Sequence, residues 1–493
     1  MKYILAIDQG TTSSRAVLYD KTAKRRASAQ EEFAQYFPRP GWVEHDPQQI
    51  WKSVSNSVRK VISQVKGVDI AAIGITNQRE TTVIWDKDTG KPVYNAIVWQ
   101  CRRTAGRCDK LKKEKGKAEF FKKRTGLPID AYFSATKIEW ILKNVPGALA
   151  KTRQGKLLFG TTDAWILWKL TGGKTHATDF TNASRTMLFN IEKLDWDRDI
   201  LKEFGIPRQM LPAVKRSSGF FGKTANTAGL PAGIPICGIA GDQQAALFGQ
   251  TCFEPGTIKN TYGTGCFMLL NTGKKRPVSR YGLITTLACG PKGEPVYALE
   301  GAVFIAGAAV QWLRDGLKIL RSAAESEKMA GSIKDNAGVY FVPALVGLGA
   351  PYWDSEARGA IFGITRGTTA NHIVRAAIEA ICYQTKDVLE AMKKDSGLAI
   401  KTLKVDGGAA ANNALCQFQS NILGIDVVRP RVIEITSLGA AYLAGLWAGY
   451  WKDTAQIRKC WQEDKTFKPR MPRSAALNLY NGWLKAVKRT LSE

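Results

Sequence analysis

Three short turns hold the residues of the 493-residue chain that are best suited to phosphate chemistry. They are DQGTTSSR (8–15), YGTGC (262–266) and DGGAAANN (406–413), and a strand-like run leads into each of them. Glycine lets backbone N–H groups approach a ligand, and Thr and Ser hydroxyls donate to phosphate oxygens. A neighbouring carboxylate such as Asp8 suits a bound Mg²⁺. One such turn alone is weak evidence, because these residues are common in structural turns, but three together favour a phosphate-binding site.

Two further groups of polar residues are candidates for binding or activating a hydroxyl. Asp242, in GDQQ (241–244), is suited to take a proton from an attacking hydroxyl, or it only caps the helix that follows. Arg79 and Glu80 follow the apolar run 70–78, where neither charge benefits a core. A guanidinium donor beside a carboxylate acceptor suits the adjacent hydroxyls of a polyol. The alternative is a surface ion pair, which is the usual role of an Arg–Glu dipeptide.

The segments that must position these residues alternate between strand-like and helical patterns, which is typical of an α/β protein. YILAID (3–8) and SRAVLYD (14–20) predict a hairpin around the hydroxyl-rich turn. Asp46 followed by Pro47 predicts the start of a helix. Residues 371–392 place apolar side chains at helical spacing and predict a long helix.

Length and residue usage bound the architecture and the compartment. A chain of 493 residues is too long for one core, and the polar turn 253–257 is a candidate lobe boundary. Nine scattered cysteines without a CxxC pattern indicate reduced thiols in a cytoplasmic protein. The three histidines, His45, His176 and His372, are far apart, which argues against a zinc site. The apolar window 297–313 contains many small residues and favours a packed helix over a membrane span.

The net charge of +28 admits two interpretations. A polyanion such as nucleic acid or a membrane surface is one possible partner. However, the basic runs 110–117 and 121–124 resemble exposed helix faces and lack interleaved aromatic residues for base stacking. A solvated lysine-rich surface is therefore favoured over specific nucleic-acid binding.

Longer stretches around the same turns resemble the FGGY carbohydrate kinases, over about residues 3 to 490. The stretches are DQGTTSSR (8–15), GDQQAALFGQ (241–250), NTYGTGCF (260–267), GLGAPYWDSEARGAIFGITRG (347–367) and VDGGAAANN (405–413). Two others, ITNQRETTVIWD (75–86) and NAIVWQCRR (95–103), resemble the members that phosphorylate glycerol.

The resemblance implies an actin-like ATPase fold, with two ribonuclease-H-like lobes of mixed sheets flanked by helices and an interlobe cleft. Residues 1–250 would form the N-terminal lobe, with the first phosphate loop and the glycerol site. Residues 251–493 would form the C-terminal lobe, with the second phosphate loop and the adenosine site.

The implied activity is ATP-dependent phosphorylation of glycerol to sn-glycerol 3-phosphate by in-line transfer, in glycerol uptake and catabolism. Asp242 would be the general base, and Asp8 would hold Mg²⁺ through water. The family places glycerol on Arg79, Glu80, Trp99, Tyr132, Asp242, Gln243 and Phe267. It places the nucleotide on Thr11, Thr12, Ser13, Arg15, Thr264, Gly307, Gln311, Gly408 and Asn412.

Alternatives remain open at this stage. Another FGGY kinase would act on a different small polyol or a pentulose, and a non-catalytic ATP-dependent module on the same fold would bind ATP without turning over a polyol. The family also implies a homo-oligomer, either a dimer or a tetramer.

Overall fold

The structure, a computed structural model, describes residues 1–432 and 434–492. Its strands, in chain order, are β1 (Lys2–Gln9), β2 (Ser13–Tyr19), β3 (Arg25–Glu32), β4 (Glu44–His45), β5 (Asp69–Asn77), β6 (Val83–Asp86), β7 (Ala96–Ile97), β8 (Leu157–Gly160), β9 (Ala177–Asp179), β10 (Phe189–Asn190), β11 (Asp195–Trp196), β12 (Ala213–Lys215), β13 (Ser218–Lys223), β14 (Pro235–Gly241), β15 (Ile258–Tyr262), β16 (Cys266–Gly273), β17 (Ile284–Cys289), β18 (Pro295–Val303), β19 (Tyr340–Val342), β20 (Ala360–Phe362), β21 (Thr402–Asp406), β22 (Asp426–Pro430) and β23 (Glu463–Phe467).

The helices are α1 (Pro47–Ser63), α2 (Ala105–Lys113), α3 (Lys117–Thr125), α4 (Ser134–Asn144), α5 (Ala148–Arg153), α6 (Thr162–Leu170), α7 (Phe180–Ala183), α8 (Arg198–Phe204), α9 (Asp242–Gly249), α10 (Gly307–Asp315), α11 (Glu325–Gly331), α12 (Ala370–Ser396), α13 (Asn413–Leu423), α14 (Ile435–Trp447), α15 (Thr454–Cys460) and α16 (Arg473–Lys488). Short 3₁₀ helices occur at Arg208–Met210 and Gly408–Ala411.

The chain forms two compact units. The first comprises Met1–Phe253, Thr285–Tyr297 and Ile435–Trp461, and the second comprises Glu254–Ile284, Ala298–Glu434 and the chain from Gln462 onward. The first unit therefore takes in two segments that lie beyond residue 250 in the sequence. The assignment of the two phosphate loops and the two substrate sites to lobes 1–250 and 251–493 stays a prediction.

Each unit is built on a mixed sheet. In the first unit the strand order is β13-β14-β5-β1-β2-β3, with β1 parallel to β5 and antiparallel to β2. The side chains of Ile4 to Ile7 in β1 are completely buried, because this central strand is covered on both faces. In the second unit β16, β15, β21, β22 and β23 are neighbours in that order, with β15 parallel to β21. The α/β class and its mixed sheets are thus as predicted.

Most of the predicted elements are confirmed. β1 and β2 form the antiparallel hairpin, and Asp46 caps α1 by accepting a hydrogen bond from the Gln48 N–H, with Pro47 at the first helical position. The predicted long helix is α12, which ends before Gly397. The prediction for residues 297–313 is wrong in its first half, which is the end of β18 rather than a helix. Within the described residues, no helix combines the length and apolar character needed to cross a membrane.

Helix α14 returns to the first unit and packs on its central strands and on α9. The approach of the two helices is close at Gly439, where an added Cβ would lie 1.8 Å from the Ala245 carbonyl oxygen. Close backbone packing of this kind tolerates only glycine, since any side chain would displace backbone rather than a flexible group. Gly439 therefore fixes the distance between α14 and the helix that begins at Asp242.

Replacing Gly439 by alanine should destabilise the fold. Overpacking of a well-packed contact typically costs about 1–3 kcal/mol, which urea unfolding followed by circular dichroism would measure. Gly106 in α2 is a matched control, because an added Cβ there meets nothing within 4 Å. Alanine at that position should be neutral or stabilising, by up to about 1 kcal/mol of helix propensity. Equal stability of the two variants would contradict this account of the contact.

Candidate active site

The turn between β1 and β2 presents a group of small polar residues. The Gly10 N–H donates to the Ser13 carbonyl at 2.9 Å and closes the turn. In the register of the two strands, Asp8 lies opposite Arg15. Thr12 is exposed, and Thr11, Ser13 and Arg15 are half-buried. The sequence pattern at this turn therefore yields accessible hydroxyls beside a carboxylate, and phosphate binding by this turn stays a prediction.

The hydroxyls of this turn already have partners in the protein. Nε1 of Trp99 donates to Oγ1 of Thr11 at 3.1 Å, and Nε2 of Gln30 donates to Oγ of Ser13 at 2.8 Å. Arg15 donates from Nε and Nη2 to Oε1 of Gln30, at 3.1 and 2.6 Å. The guanidinium of Arg15 is thus anchored on strand β3 through Gln30.

Arg79 and Asp242 are neighbours because the strands before them are neighbours. β14 runs parallel to β5, with Gly241 opposite Asn77, so both residues leave the sheet at the same edge. Nε of Arg79 lies 3.2 Å from Oδ1 of Asp242, and its Nη1 donates to Oε1 of Gln244 at 3.3 Å. Gly241 makes room for this arrangement, since an added Cβ would lie 2.8 Å from Cγ and Cδ of Arg79.

Asp242 is the first residue of α9 rather than its cap, which is Gly241. Its Oδ1 accepts a hydrogen bond from the backbone N–H of Gln243 at 2.7 Å, and its side chain is 32% exposed. Gln243 itself is buried. The interpretation of Asp242 as only a helix cap is therefore wrong, and its role as a general base stays a prediction, with the carboxylate accessible beside Arg79.

Glu80 is held in an unusual conformation by buried partners. Its backbone φ is +62°, and its backbone carbonyl accepts from Oγ of Ser134 at 2.9 Å. Its carboxylate Oε1 accepts from Nε of Arg185 at 2.5 Å and lies 3.9 Å from Nε of Arg79. Positive φ is uncommon for a residue with a side chain and clusters at functional sites. The alternative of a surface Arg–Glu pair is ruled out, because Arg79 and Glu80 are 3% and 1% exposed.

Arg185 contacts a residue of the candidate site, and sequence reasoning missed it. Its side chain is wholly buried, and its guanidinium lies 5.4 Å from the ring centroid of Tyr132 and 5.3 Å from that of Phe133. It therefore links the Glu80 carboxylate to an aromatic wall. The only sequence signal was an arginine, 105 residues away from Glu80, in the polar run TNASRT (181–186).

Two of the three aromatic residues predicted to line the acceptor site pack against each other. The rings of Trp99 and Tyr132 meet edge to face, with centroids 5.5 Å apart and planes at 87°. Nζ of the wholly buried Lys137 donates to the Tyr132 carbonyl at 2.5 Å. The third, Phe267, belongs to the second unit and is half-buried in β16 opposite Thr261.

Burial lowers the pKa of Lys137 from 10.5 to about 8, although nearby acids, Glu80 first, oppose the shift. Between these two pH values the unfolded chain binds one more proton than the folded chain, so the stability contribution of this lysine rises with pH. We expect the free energy of unfolding of the unaltered protein, minus that of Lys137→Met, to increase between about pH 8 and 10. Urea unfolding at several pH values would measure it, and a constant difference would contradict the assigned burial.

The second unit holds the other two glycine turns at the ends of adjacent strands. β15 and β21 are parallel, with Thr261 opposite Asp406, so both turns leave the same sheet edge. The Thr264 carbonyl accepts from the Ala306 N–H at 2.9 Å, and the Gly263 carbonyl accepts from the Gly307 N–H at 3.0 Å. These bonds join the second turn to the start of α10.

The remaining residues predicted to bind the nucleotide lie on α10 and in the third glycine turn, DGGAAANN (406–413). Gln311 is exposed one turn further along α10, and Gly408 is exposed in the 3₁₀ helix after β21. Asn412 caps α13, since its side chain accepts from the Leu415 N–H at 2.9 Å. Nδ2 of Asn412 lies 3.4 Å from Oγ of Ser326. Sequence reasoning did not single out Ser326.

Comparison with known proteins identifies the family. Residues 3–249 match the N-terminal domain of the FGGY family of carbohydrate kinases, and residues 258–448 match its C-terminal domain. The chain belongs to this family. The resemblance predicted from the glycine turns is thereby confirmed.

Several full-length relatives share a majority of residues with this FGGY family member. It is 61% identical over 493 residues to glycerol kinase 2 of Thermotoga maritima, covering 100% of this chain and 99% of that one. It is 60% identical over 493 residues to glycerol kinase of Fusobacterium nucleatum, with 99% of each chain covered. The predicted likeness to the members that phosphorylate glycerol is confirmed by these relatives.

Solved structures of the family give the same fold. The crystal structure of Plasmodium falciparum glycerol kinase with ADP matches with a TM-score of 0.94 at 38% identity, covering 100% of this chain and 99% of that one. A ligand-bound xylulose kinase from Lactobacillus acidophilus matches with a TM-score of 0.88 at 22% identity, over 99% of this chain and 98% of that one. The second likeness supports the fold alone.

The carboxylates near the turns would supply only a few ligands to a metal ion, and nucleotide phosphates and water would supply the others. No group of three or more His, Cys, Asp or Glu side chains in residues 1–432 and 434–492 is arranged to hold a metal by itself. Mg²⁺ commonly keeps several waters and uses one or two carboxylates together with substrate phosphates. A single acid such as the half-buried Asp8 is compatible with that mode of binding.

Proposed function

We propose that this FGGY family member transfers the terminal phosphoryl group of ATP to glycerol and forms sn-glycerol 3-phosphate. The observation that carries the proposal is the buried Arg79–Glu80 pair beside the accessible Asp242 carboxylate, at one sheet edge. The full-length glycerol kinase relatives support the choice of glycerol. The same activity would serve glycerol uptake and catabolism.

The acceptor is bound by complementary donors and acceptors. A polyol hydroxyl both donates and accepts, so adjacent hydroxyls are matched by the Arg79 guanidinium and the Glu80 carboxylate. Gln243 adds a polar contact, and Trp99, Tyr132 and Phe267 would cover the carbon backbone and exclude water. Water is the main competitor, because it too could accept the phosphoryl group.

Asp242 acts as the general base of the transfer. Its carboxylate takes the proton of the terminal glycerol hydroxyl as the oxygen forms its bond to phosphorus and the bond from phosphorus to the ADP oxygen breaks in line. Arg79, at 3.2 Å, orients the carboxylate. The hydroxyls of Thr11, Thr12 and Ser13 would hold the terminal phosphates.

The nucleotide would be held by the phosphate-binding and adenosine-binding residues named above. Arg15 would contribute positive charge near the phosphates, Thr264 would bind them from the second turn, and the adenosine would lie at Gly307, Gln311, Gly408 and Asn412. Asp8 would hold Mg²⁺ through water, and the ion would neutralise charge on the phosphates.

The proposed setting is the cytoplasm, with the enzyme acting as a homo-oligomer, a dimer or a tetramer. Support for the compartment comes from the nine cysteines, which are all free thiols, eight of them buried. The exposed lysines of α2 and α3 form a solvated surface in this proposal, rather than a site for specific nucleic acid.

A panel of polyols in an ADP-release assay tests the proposed substrate. We expect glycerol to give the highest kcat/KM among glycerol, erythritol, ribitol and xylulose, and little ADP release without an acceptor. Preference for a five-carbon substrate would favour the alternative of a pentulose kinase. ATP binding without acceptor-dependent turnover would instead favour a non-catalytic ATP-dependent module.

A further inference from the structure

Two hydroxyls of the β1–β2 turn accept hydrogen bonds whose direction is fixed by chemistry. An indole N–H can only donate, so Oγ1 of Thr11 must be the acceptor in its 3.1 Å bond to Trp99. A guanidinium can also only donate, so the Gln30 atom that contacts Arg15 is the carbonyl oxygen. The other end of the Gln30 amide is therefore the NH₂ group, which donates to Oγ of Ser13 at 2.8 Å.

These bonds leave the hydroxyl protons available. A hydroxyl has one proton and two lone pairs, and an N–H partner uses only a lone pair. Thr11 and Ser13 can then each donate their proton to another acceptor. Ser14 differs, because its side chain is completely buried and contacts Ser53 in the core.

We propose that Trp99 and Gln30 are positioning residues that turn the hydroxyl protons of Thr11 and Ser13 toward the phosphates of a bound nucleotide. The inference rests on the proposed function, since it assigns the acceptor of those protons to ATP. It gives Trp99 two roles: its ring packs on Tyr132 at the acceptor site, and its N–H orients a hydroxyl at the phosphate site.

A second connection joins the same two places. Nε2 of Gln78 lies 3.2 Å from the Gly10 carbonyl, and its Oε1 accepts from Oγ1 of Thr81 at 2.9 Å. Oγ1 of Thr81 also lies 3.3 Å from the backbone N–H of Trp99. The loop that contains Arg79 is therefore hydrogen-bonded to the β1–β2 turn through Gln78, independently of the Trp99 indole.

The variant Trp99→Phe tests the first positioning residue, because it keeps an aromatic wall and removes the N–H. Loss of one hydrogen bond of this kind should raise the dissociation constant of a non-hydrolysable ATP analogue by about 2- to 10-fold. The kcat/KM for ATP should fall by a similar factor, with a smaller change in KM for glycerol. Trp168→Phe is the control, since that ring packs against Trp85 and His176.

A double-mutant cycle separates positioning from general damage. In a Thr11→Val background, Trp99→Phe should have no further effect on binding of the ATP analogue, because the oriented hydroxyl is already absent. Additive effects of the two substitutions, or a change confined to KM for glycerol, would overturn the role of Trp99. Binding of the ATP analogue is measured without turnover, so it tests the positioning role separately from the proposed function. The proposed function itself would fail if the unaltered protein released no ADP in response to glycerol.

Gln30→Glu tests the second residue by replacing the donor with an acceptor of the same shape. The Ser13 proton should then turn to the new carboxylate, and binding of the ATP analogue should weaken by about tenfold or more, since a charge is also added. Gln48→Glu, on the exposed start of α1, controls for the charge. Equal effects of the two variants, or a full effect of Gln30→Glu in a Ser13→Ala background, would overturn the proposal for Gln30.

Discussion

Replacing Asp242 by asparagine should lower the rate of phosphoryl transfer by a factor of about 10²–10⁴, the usual contribution of a general base. The amide has the shape of the carboxylate but cannot take the proton of the attacking hydroxyl. Binding of the nucleotide should change little, because its proposed contacts are made by other residues. Rapid-quench measurement of product formed from glycerol and ATP would give the rate of the chemical step directly.

The control for this substitution is Asp199→Asn, which removes an exposed acid that pairs with Arg124 in the same unit. That variant should keep the full rate. A chemical step in Asp242→Asn within about threefold of the unaltered enzyme would contradict the role of general base. So would a loss that is matched by an equal loss of nucleotide binding, since the defect would then lie in ground-state binding rather than in transfer.

Replacing Arg185 by methionine should produce the second large effect, on both stability and acceptor binding. The Arg185–Glu80 pair is buried on both sides, and breaking such a pair costs up to about 3–5 kcal/mol, of which the Arg79 guanidinium, 3.9 Å from the same carboxylate, offsets a part. Glu80 would also lose the partner that orients its carboxylate toward the acceptor. The free energy of unfolding should fall by up to that amount, and KM for glycerol should rise more than KM for ATP.

Two further variants separate the charge effect from loss of packing. Arg102 forms a bridge of 2.7 Å to Asp130 but is 53% exposed, so Arg102→Met should cost less than about 1 kcal/mol. The double variant Glu80→Gln/Arg185→Met should recover part of the lost stability, because the carboxylate charge that Arg185 balances is removed as well, while acceptor binding stays impaired. If the double variant were as unstable as Arg185→Met alone, the ion pair would not explain the effect.

Local signals predicted the elements that carry the site. The exception is β14, the strand that leads into Asp242, which was not predicted. The apolar run and the hydroxyl-rich turn predicted the β1–β2 hairpin, and the apolar run 70–78 predicted the strand that ends at Asn77. These are short-range patterns, in which burial and turn chemistry act within ten residues. The parallel pairing of β5 with β14 then brings Arg79 to Asp242, and this long-range step became visible only in the structure.

The residues that position the site were not predictable in the same way. Arg185 and Glu80 are 105 residues apart, and Trp99 and Thr11 are 88 residues apart. No local pattern distinguishes a buried arginine that orients a carboxylate from an exposed one on a helix. The packing of α14 against the first unit, nearly 200 residues after α9, likewise depends on a close contact at Gly439 that composition does not reveal.

The error at residues 297–313 has a clear physical reason. The stretch YALEGAV continues an apolar run into GAAVQWL, and a continuous apolar run does not distinguish a buried strand from a buried helix. In the structure the first part is strand β18, and the helix α10 begins only at Gly307. The chain changes from strand to helix at Ala306 and Gly307, whose N–H groups donate to the carbonyls of Thr264 and Gly263.

Identification of the reaction product would show directly whether glycerol is the phosphoryl acceptor. Purified protein would be incubated with ATP, Mg²⁺ and glycerol, and the phosphorylated products would be resolved by ³¹P NMR and by an enzyme specific for the sn-3 enantiomer. We expect one sn-glycerol 3-phosphate for each ADP, and almost no ADP without glycerol. Release of inorganic phosphate in place of glycerol phosphate, or equal ADP formation with and without glycerol, would contradict it.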